Sequence, residues 1–265
     1  MDCLKCADAG YVTEAVDKYA TARPCDCRKT CGVCGGSGYV VAAPSDRSGP
    51  PVARQCDCRL LRRRIDLFNH AEIPAKLHSR TLENFQDLGG SQAEVHLHLR
   101  RYRQVYQSGN RGLLLWGPPG RGKTHLACAL VRHFTLERGL TARFVDFFEL
   151  VGRIRAGFSE GRHAEEVIDA LVAPDVLAVD EMGKQRPNEF ESSVLDQIVC
   201  RRYNAGRTIL VTTNFDVDDG ESPRPPGSLA RLVDQGISDR IFSRLKEMCD
   251  FRHVDGPDFR KRKGS

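Results

Sequence analysis

An octapeptide at residues 117–124, GPPGRGKT, follows directly on the apolar run Leu113-Leu114-Leu115-Trp116 and leads into Leu126, Ala127, Leu130 and Phe134 at helical spacing. A strand, a glycine-rich turn and a helix in that order leave few folds open. The spacing Gly-x-x-x-x-Gly-Lys-Thr curls the backbone so that several N–H groups converge on one point, at which the following helix also aims its positive end. Such a curl binds phosphate. The candidate nucleotide-binding residues are therefore Gly117, Pro118, Pro119, Gly120, Arg121, Gly122, Lys123, Thr124 and His125. Lys123 is placed to reach the β- and γ-phosphates of ATP, and the Thr124 hydroxyl to ligate magnesium. The helix is expected to end near Gly139.

Hydrolysis needs more than a cradle. Val176-Leu177-Ala178-Val179 is an apolar strand that runs into Asp180 and Glu181. Asp180 is suited to hold magnesium, and Glu181 to act as the base or water-orienting carboxylate. A further strand, Thr208–Thr213, ends at Asn214, whose amide is a candidate sensor of the γ-phosphate. Arg240 and Arg244 stand four residues apart on a predicted helix. They serve either as surface salt-bridge partners or as an arginine finger offered to a neighbouring subunit's nucleotide. From residue 111 onward strands alternate with helices, which is the pattern of a parallel α/β sheet.

Cysteine placement divides the chain. Of 11 cysteines, Cys3, Cys6, Cys25, Cys27, Cys31, Cys34, Cys56 and Cys58 fall in the first 58 residues, leaving Cys128, Cys200 and Cys249 as ordinary helix or core residues. The eight form a repeat: Cys3-x-x-Cys6-x-x-x-Gly10-Tyr11-Val12 recurs as Cys31-x-x-Cys34-x-x-x-Gly38-Tyr39-Val40, and Cys25-Asp26-Cys27-Arg28 recurs as Cys56-Asp57-Cys58-Arg59. Two sets of four thiolates suit two structural zinc sites with no open position for catalysis. The repeat favours sequential sets, Cys3, Cys6, Cys25, Cys27 and Cys31, Cys34, Cys56, Cys58. The interleaved alternative joins the two Cys-x-x-Cys pairs on one ion and the two Cys-x-Cys pairs on the other. With few large apolar residues, such a module draws its folding free energy from metal.

Residues 42–55 are rich in Pro, Ser and Gly and read as a loop within the second repeat. Next, Leu61, Ile65 and Phe68 mark an amphipathic helix studded with Arg59, Arg62, Arg63 and Arg64 and stopped by Pro74. It is either a nucleic-acid or acidic-partner contact or a solvated connector. The stretch 216–228 reads as a mobile loop. No apolar run reaches membrane-spanning length and no basic-then-apolar leader opens the chain, so a cytoplasmic, reducing setting is expected, which favours metal over disulfides. The organisation expected is a zinc-binding, partner-binding module at 1–60, a basic helix and linker at 61–85, and an ATPase domain at 86–265. Loading two zinc ions onto eight thiolates brings the formal charge of +5 down to about +1, so basic character is local: Arg59–Arg64, Arg153 and Arg155, and Arg260–Lys263.

Together these residues resemble the AAA+ ATPases of the DnaC/DnaI helicase-loader and IstB family. The likeness runs through Ala71-Glu72-Ile73-Pro74, Thr81-Leu82-Glu83-Asn84-Phe85, GPPGRGKTHLA at 117–127, VDEMG at 179–183, Arg201-Arg202-Tyr203, the Thr-Thr-Asn strand end, SRL at 243–245 and Asp258-Phe259-Arg260. The resemblance implies a five-stranded parallel sheet flanked by helices, ATP hydrolysis, and the roles of Walker A for Lys123 and Thr124, Walker B for Asp180 and Glu181, and sensor I for Asn214. It makes Arg244 the arginine finger with Arg240 as helper, Arg260 a sensor II candidate, and the segment carrying Arg153 and Arg155 a counterpart of the DNA-facing insertion of initiator-type relatives. The implied partners are a hexameric replicative helicase of the DnaB type, gripped by the N-terminal module, single-stranded DNA, and further copies of the chain at the AAA+ interface. The IstB side of the family implies instead a transposition helper that binds DNA and activates a transposase. The chain departs from both branches in carrying two four-cysteine units.

Overall fold

The computed structural model describes residues 3–28, 30–42, 51–150, 152, 156, 164–184, 188–217, 232–235 and 237–261. Two antiparallel hairpins open the chain, β1 (Tyr11–Val16) with β2 (Tyr19–Pro24), and β3 (Tyr39–Ala42) with β4 (Val52–Gln55). Each fills the spacer between a Cys-x-x-Cys and a Cys-x-Cys pair, so the sequence repeat is a structural repeat. This corrects the expectation of a loop over 42–55. Val52–Gln55 pairs with β3 as a strand, and residues 43–50 lie outside the described residues.

Helix α1 (Asp57–Asn69) buries Ile65 and Phe68 and leaves its arginines outward. It ends at Asn69, ahead of Pro74; the chain turns through Ala71 and Glu72, whose φ is 55°, and Tyr19 bridges to Pro74 at the edge of the first hairpin. Next come α2 (Gln92–Val105), β5 (Gly112–Trp116) and α3 (Lys123–Arg132). One wide helical turn, His133–Glu137, prolongs α3 towards Gly139, whose positive φ of 67° closes it as the sequence requires. The rest is β6 (Ala142–Asp146), α4 (Ala164–Val172), β7 (Val176–Asp180), α5 (Glu189–Asn204), β8 (Thr208–Thr213), α6 (Asp239–Met248) and β9 (Cys249–His253).

The five later strands form one sheet in the order β6-β7-β8-β5-β9, every pair parallel. The physical reason is burial on both faces. β7 and β8 are buried at every residue, and β5 at all but Trp116, as strands covered by helices on both sides must be. Along β5, Leu113 and Leu115 enter one core cluster and Leu114 the other. The first cluster gathers α2 and α3 and also takes in Ile65 and Phe68 of α1 and Ala20 and Ala22 of β2. The second lies under α4, α5 and α6. β5 sits between β8 and β9, where connections depart in opposite directions, so its carboxyl end opens on the crevice where such sheets bind ligands. Among the described residues no helix is long and apolar enough to cross a membrane.

Arg202 of α5 is a fully buried cation. Its guanidinium donates to the carbonyls of Leu171, Val172, Pro174, Asp175 and Thr208 at 2.5–3.2 Å, tying the α4–β7 turn to the start of β8. Burial draws its pKa down to about 10, so it remains charged at neutral pH. Arg202→Ala would strand these carbonyls in the core and is expected to cost about 3 kcal/mol or more, read as a large fall in Tm.

Candidate nucleotide site and cysteine centres

The phosphate loop is shaped by what surrounds its glycines. Gly120 has φ 79°, and a Cβ there would fall 2.1 Å from the Asp258 carboxylate; Gly122 has φ 92°, and a Cβ would fall 2.6 Å from the Phe85 ring. Neither position tolerates a side chain. Phe85 stands edge-on to the His125 ring at 5.2 Å and leans on Phe259 at 5.6 Å, while His125 Nε2 bonds the Thr81 carbonyl at 2.8 Å. The closing segment packs on the other side: Phe259 donates its N–H to the Gly120 carbonyl at 3.1 Å, and Arg121 pairs with Asp255 at 3.3 Å. Buried Gln92 joins the two, donating from Nε2 to the carbonyls of Arg121 and Pro257 at 3.3 Å each.

Lys123 opens α3, and its Nζ donates to the carbonyls of Gly117 and Pro118 at 2.7 Å each. Burial lowers its pKa to about 8. Opposite it, at the end of β7, Asp180 accepts hydrogen bonds from Thr124 Oγ1 at 3.0 Å and from Thr212 Oγ1. Burial lifts Asp180 from 3.8 to about 6 against those bonds. Glu181 adopts a positive φ of 57°, held by its N–H to Thr212 Oγ1 at 3.1 Å, and its carboxylate is paired with Lys184. A cleft of about 600 Å³ is lined by the loop residues Pro119–His125 together with Glu181, Lys184, Asn214 and Arg260. The structure thus brings Lys123, Thr124, Asp180, Glu181 and Asn214 to one cleft. It adds Lys184, for which the sequence carries no motif, and places Arg260, the sensor II candidate, in the same lining, with Gln92 bracing the closing segment against the loop.

Arg240 and Arg244 lie elsewhere. They approach Asp196 of α5 at 3.7 and 3.8 Å, and Arg244 stands over the Tyr203 ring at 5.6 Å. Neither lines the cleft of its own chain. Arg153, Arg155, Lys263 and the greater part of the 216–228 stretch fall outside the described residues.

The cysteines converge in sequential sets. In each of the groups Cys3, Cys6, Cys25, Cys27 and Cys31, Cys34, Cys56, Cys58, all sulfur atoms lie within 4.8 Å of one another. The nearest pairs are Cys3–Cys25 at 3.8 Å, Cys6–Cys27 at 3.5 Å, Cys31–Cys56 at 3.6 Å and Cys34–Cys58 at 3.4 Å. Four sulfurs at Zn–S bonds of about 2.3 Å on a tetrahedron lie about 3.8 Å apart, so both groups have the spacing a zinc ion needs. Backbone N–H groups of Cys6 and Lys5 draw the Cys3 thiol down to about 7, favouring the thiolate. The interleaved arrangement is not the one the described residues assemble.

The description of the IstB-like ATP-binding proteins matches residues 50–265. The chain belongs to that family. It is accordingly an AAA+ P-loop ATPase. The replicative helicase loader DnaC of Escherichia coli K12 is 24% identical over 175 residues, spanning 66% of this chain and 67% of DnaC. A putative ATP-binding protein of insertion sequence IS5376 from Geobacillus stearothermophilus is 31% identical over 134 residues, 51% of this chain and 53% of that protein. The crystal structure of the DnaC helicase loader superposes with a TM-score of 0.57 at 22% identity, covering 68% of this chain and 99% of that one, which establishes the fold.

Two measurements follow. Because the folded state raises the Asp180 pKa, the stability it contributes is full below pH 4 and is lost as pH rises through about 6. At pH 7.5 the ionised carboxylate therefore opposes folding, and Asp180→Asn is expected to raise Tm while abolishing magnesium-dependent ATP hydrolysis. Elemental analysis of protein purified without chelators should find about two zinc ions per chain.

Proposed function

We propose that this protein is an ATP-dependent loader of a hexameric DnaB-type replicative helicase, which it grips through its N-terminal cysteine module and delivers to single-stranded DNA. The observation that carries this reading is a thiolate-rich recognition module built into the core of an ATPase similar to DnaC. In this reading Lys123 leaves the carbonyls of Gly117 and Pro118 for the β- and γ-phosphates. Thr124 and Asp180 would hold magnesium, which would supply neutralisation of phosphate charge. Glu181, once parted from Lys184, takes the proton of the attacking water, and Asn214 orients it. While Lys184 holds that carboxylate, hydrolysis without partners is expected to be slow.

Arg244, with Arg240 beside it, faces away from its own cleft and serves the nucleotide of an adjacent subunit. Self-association is then favoured by ATP, because both subunits contact the same γ-phosphate. The 31% identity to the IS5376 protein favours a second reading, an ATP-dependent transposition helper that activates a transposase.

A loading assay separates the two. DnaB-type helicase is presented with forked DNA whose single strands are coated with single-strand-binding protein. The full chain with ATP should restore unwinding, and Lys123→Ala should not. If wild type leaves unwinding unchanged but stimulates strand transfer by an IS21-type transposase, the helper reading replaces the loader reading.

A further inference from the structure

The two hairpins are copies, but only one is covered. Thr13 pairs with Ala22 and Ala15 with Ala20, so Tyr11, Thr13, Ala20 and Ala22 share one face of the first hairpin. That face is docked within the chain. Ala20 and Ala22 are buried in one cluster with Ile65 and Phe68 of α1. Asn69 at the end of α1 accepts from the Ala22 N–H at 2.6 Å and donates to the Ala22 carbonyl at 3.1 Å. Arg132 of α3 stands over the Tyr11 ring at 5.7 Å and donates to Thr13 Oγ1 at 3.0 Å.

The repeat identifies the corresponding face of the second hairpin as Tyr39, Val41 and Ala53. Its geometry matches. Val41 pairs with Ala53, and the Arg59 guanidinium stands over the Tyr39 ring at 4.7 Å as Arg132 does over Tyr11. Its surroundings do not match: Tyr39 is 45% and Val41 75% exposed, and Ala53 is exposed. Along this face Ala20 corresponds to Pro51 and Pro24 to Gln55, while the middle of the solvated copy gains an apolar side chain where the docked copy carries a hydroxyl. Thr13, half-buried and hydrogen-bonded, corresponds to Val41 in open solvent. By the shared register, the N–H and carbonyl of Ala53 point away from β3, as do the Ala22 groups that Asn69 satisfies.

We propose that the Tyr39–Val41–Ala53 face is a docking surface for an acidic amphipathic α-helix of a partner protein. The first hairpin supplies the template: its occupant is a helix presenting isoleucine and phenylalanine to the strands and an amide side chain to the strand edge. The charge follows from Arg54, Arg59, Arg62 and Arg63, all exposed around this hairpin, which outweigh Asp57 and the net charge of about −2 that a zinc ion on the thiolates of Cys31, Cys34, Cys56 and Cys58 would carry. A second copy's α1 would bring more arginines to the same place and is disfavoured. That the helix belongs to the replicative helicase rests on the loader reading; the surface does not.

The test uses the full chain and a labelled peptide of residues 57–69 carrying Arg59→Glu, Arg62→Glu, Arg63→Glu and Arg64→Glu, an acidic helix that keeps Leu61, Ile65, Phe68 and Asn69. Fluorescence anisotropy should show saturable binding that weakens at least about tenfold in Val41→Glu and in Ala53→Arg, since each places a charge in an apolar contact. Val105→Glu, at a valine 68% exposed on the ATPase, should bind like wild type. Each variant should melt at the wild-type temperature, as surface substitutions do. Absence of binding by wild type, equal binding by Val41→Glu, or equal weakening by Val105→Glu overturns the proposal. Self-association that Val41→Glu abolishes overturns it in favour of a second copy as occupant. A parallel capture on immobilised DnaB-type helicase separates the two readings. Capture by wild type but not Val41→Glu supports the proposal with the helicase as partner. Equal capture by both removes the helicase helix as occupant while leaving the loader reading intact. Absence of capture with peptide binding preserved ends the loader reading and leaves the surface standing.

Discussion

The structure depends on holding an ammonium group and a carboxylate, Lys123 at the start of α3 and Asp180 at the end of β7, out of water at the carboxyl edge of one sheet. Burial works against both charges, and the protein answers with fixed dipoles: two loop carbonyls for the lysine, two threonine hydroxyls for the aspartate. Everything nearby serves that arrangement. The parallel sheet brings the ends of β5, β7 and β8 together, Phe85 and Phe259 wall the loop on either side of Gly122, and Gln92 fastens the closing segment to it. An environment that opposes charge on Lys123 and Asp180 suits a ligand that brings the compensating charges.

Much of this is legible in the sequence because it rests on short-range constraints. The loop spacing, the apolar runs of β7 and β8 and the doubled cysteine pattern are local signals, and each leads to the element found. β9 carries no such signal because Cys-Asp-Phe-Arg-His is an edge strand. Asp250 and Arg252 are only half-buried there, so the apolar run that marks a central strand is absent. β4 lacks one for a similar reason: Val-Ala-Arg-Gln is exposed at every residue and follows a proline-rich stretch, so pairing with β3 alone defines it. Gln92 and Lys184 owe their positions to long-range packing, which leaves no periodicity to read, and the closing segment is marked in the sequence only by the likeness of Asp258-Phe259-Arg260.

The duplicated module illustrates how equal copies diverge. The repeat fixes cysteine spacing and hairpin register in both units, yet the first was drawn into the ATPase core while the second was left in solvent. The shift from Thr13 to Val41 changes hydrogen-bonding capacity without altering the backbone, which is why the repeat alone does not reveal it.

Helix α3 has a consequence of its own. Its first residue is Lys123, in the phosphate loop, and its last is Arg132, whose guanidinium grips the first hairpin at Thr13 and Tyr11. Ten helical residues make a rod about 15 Å long. The first cysteine unit and the nucleotide pocket therefore rest on opposite ends of one short helix. Stripping metal from that unit should be felt at Lys123, and occupancy of the pocket should be felt at the hairpin.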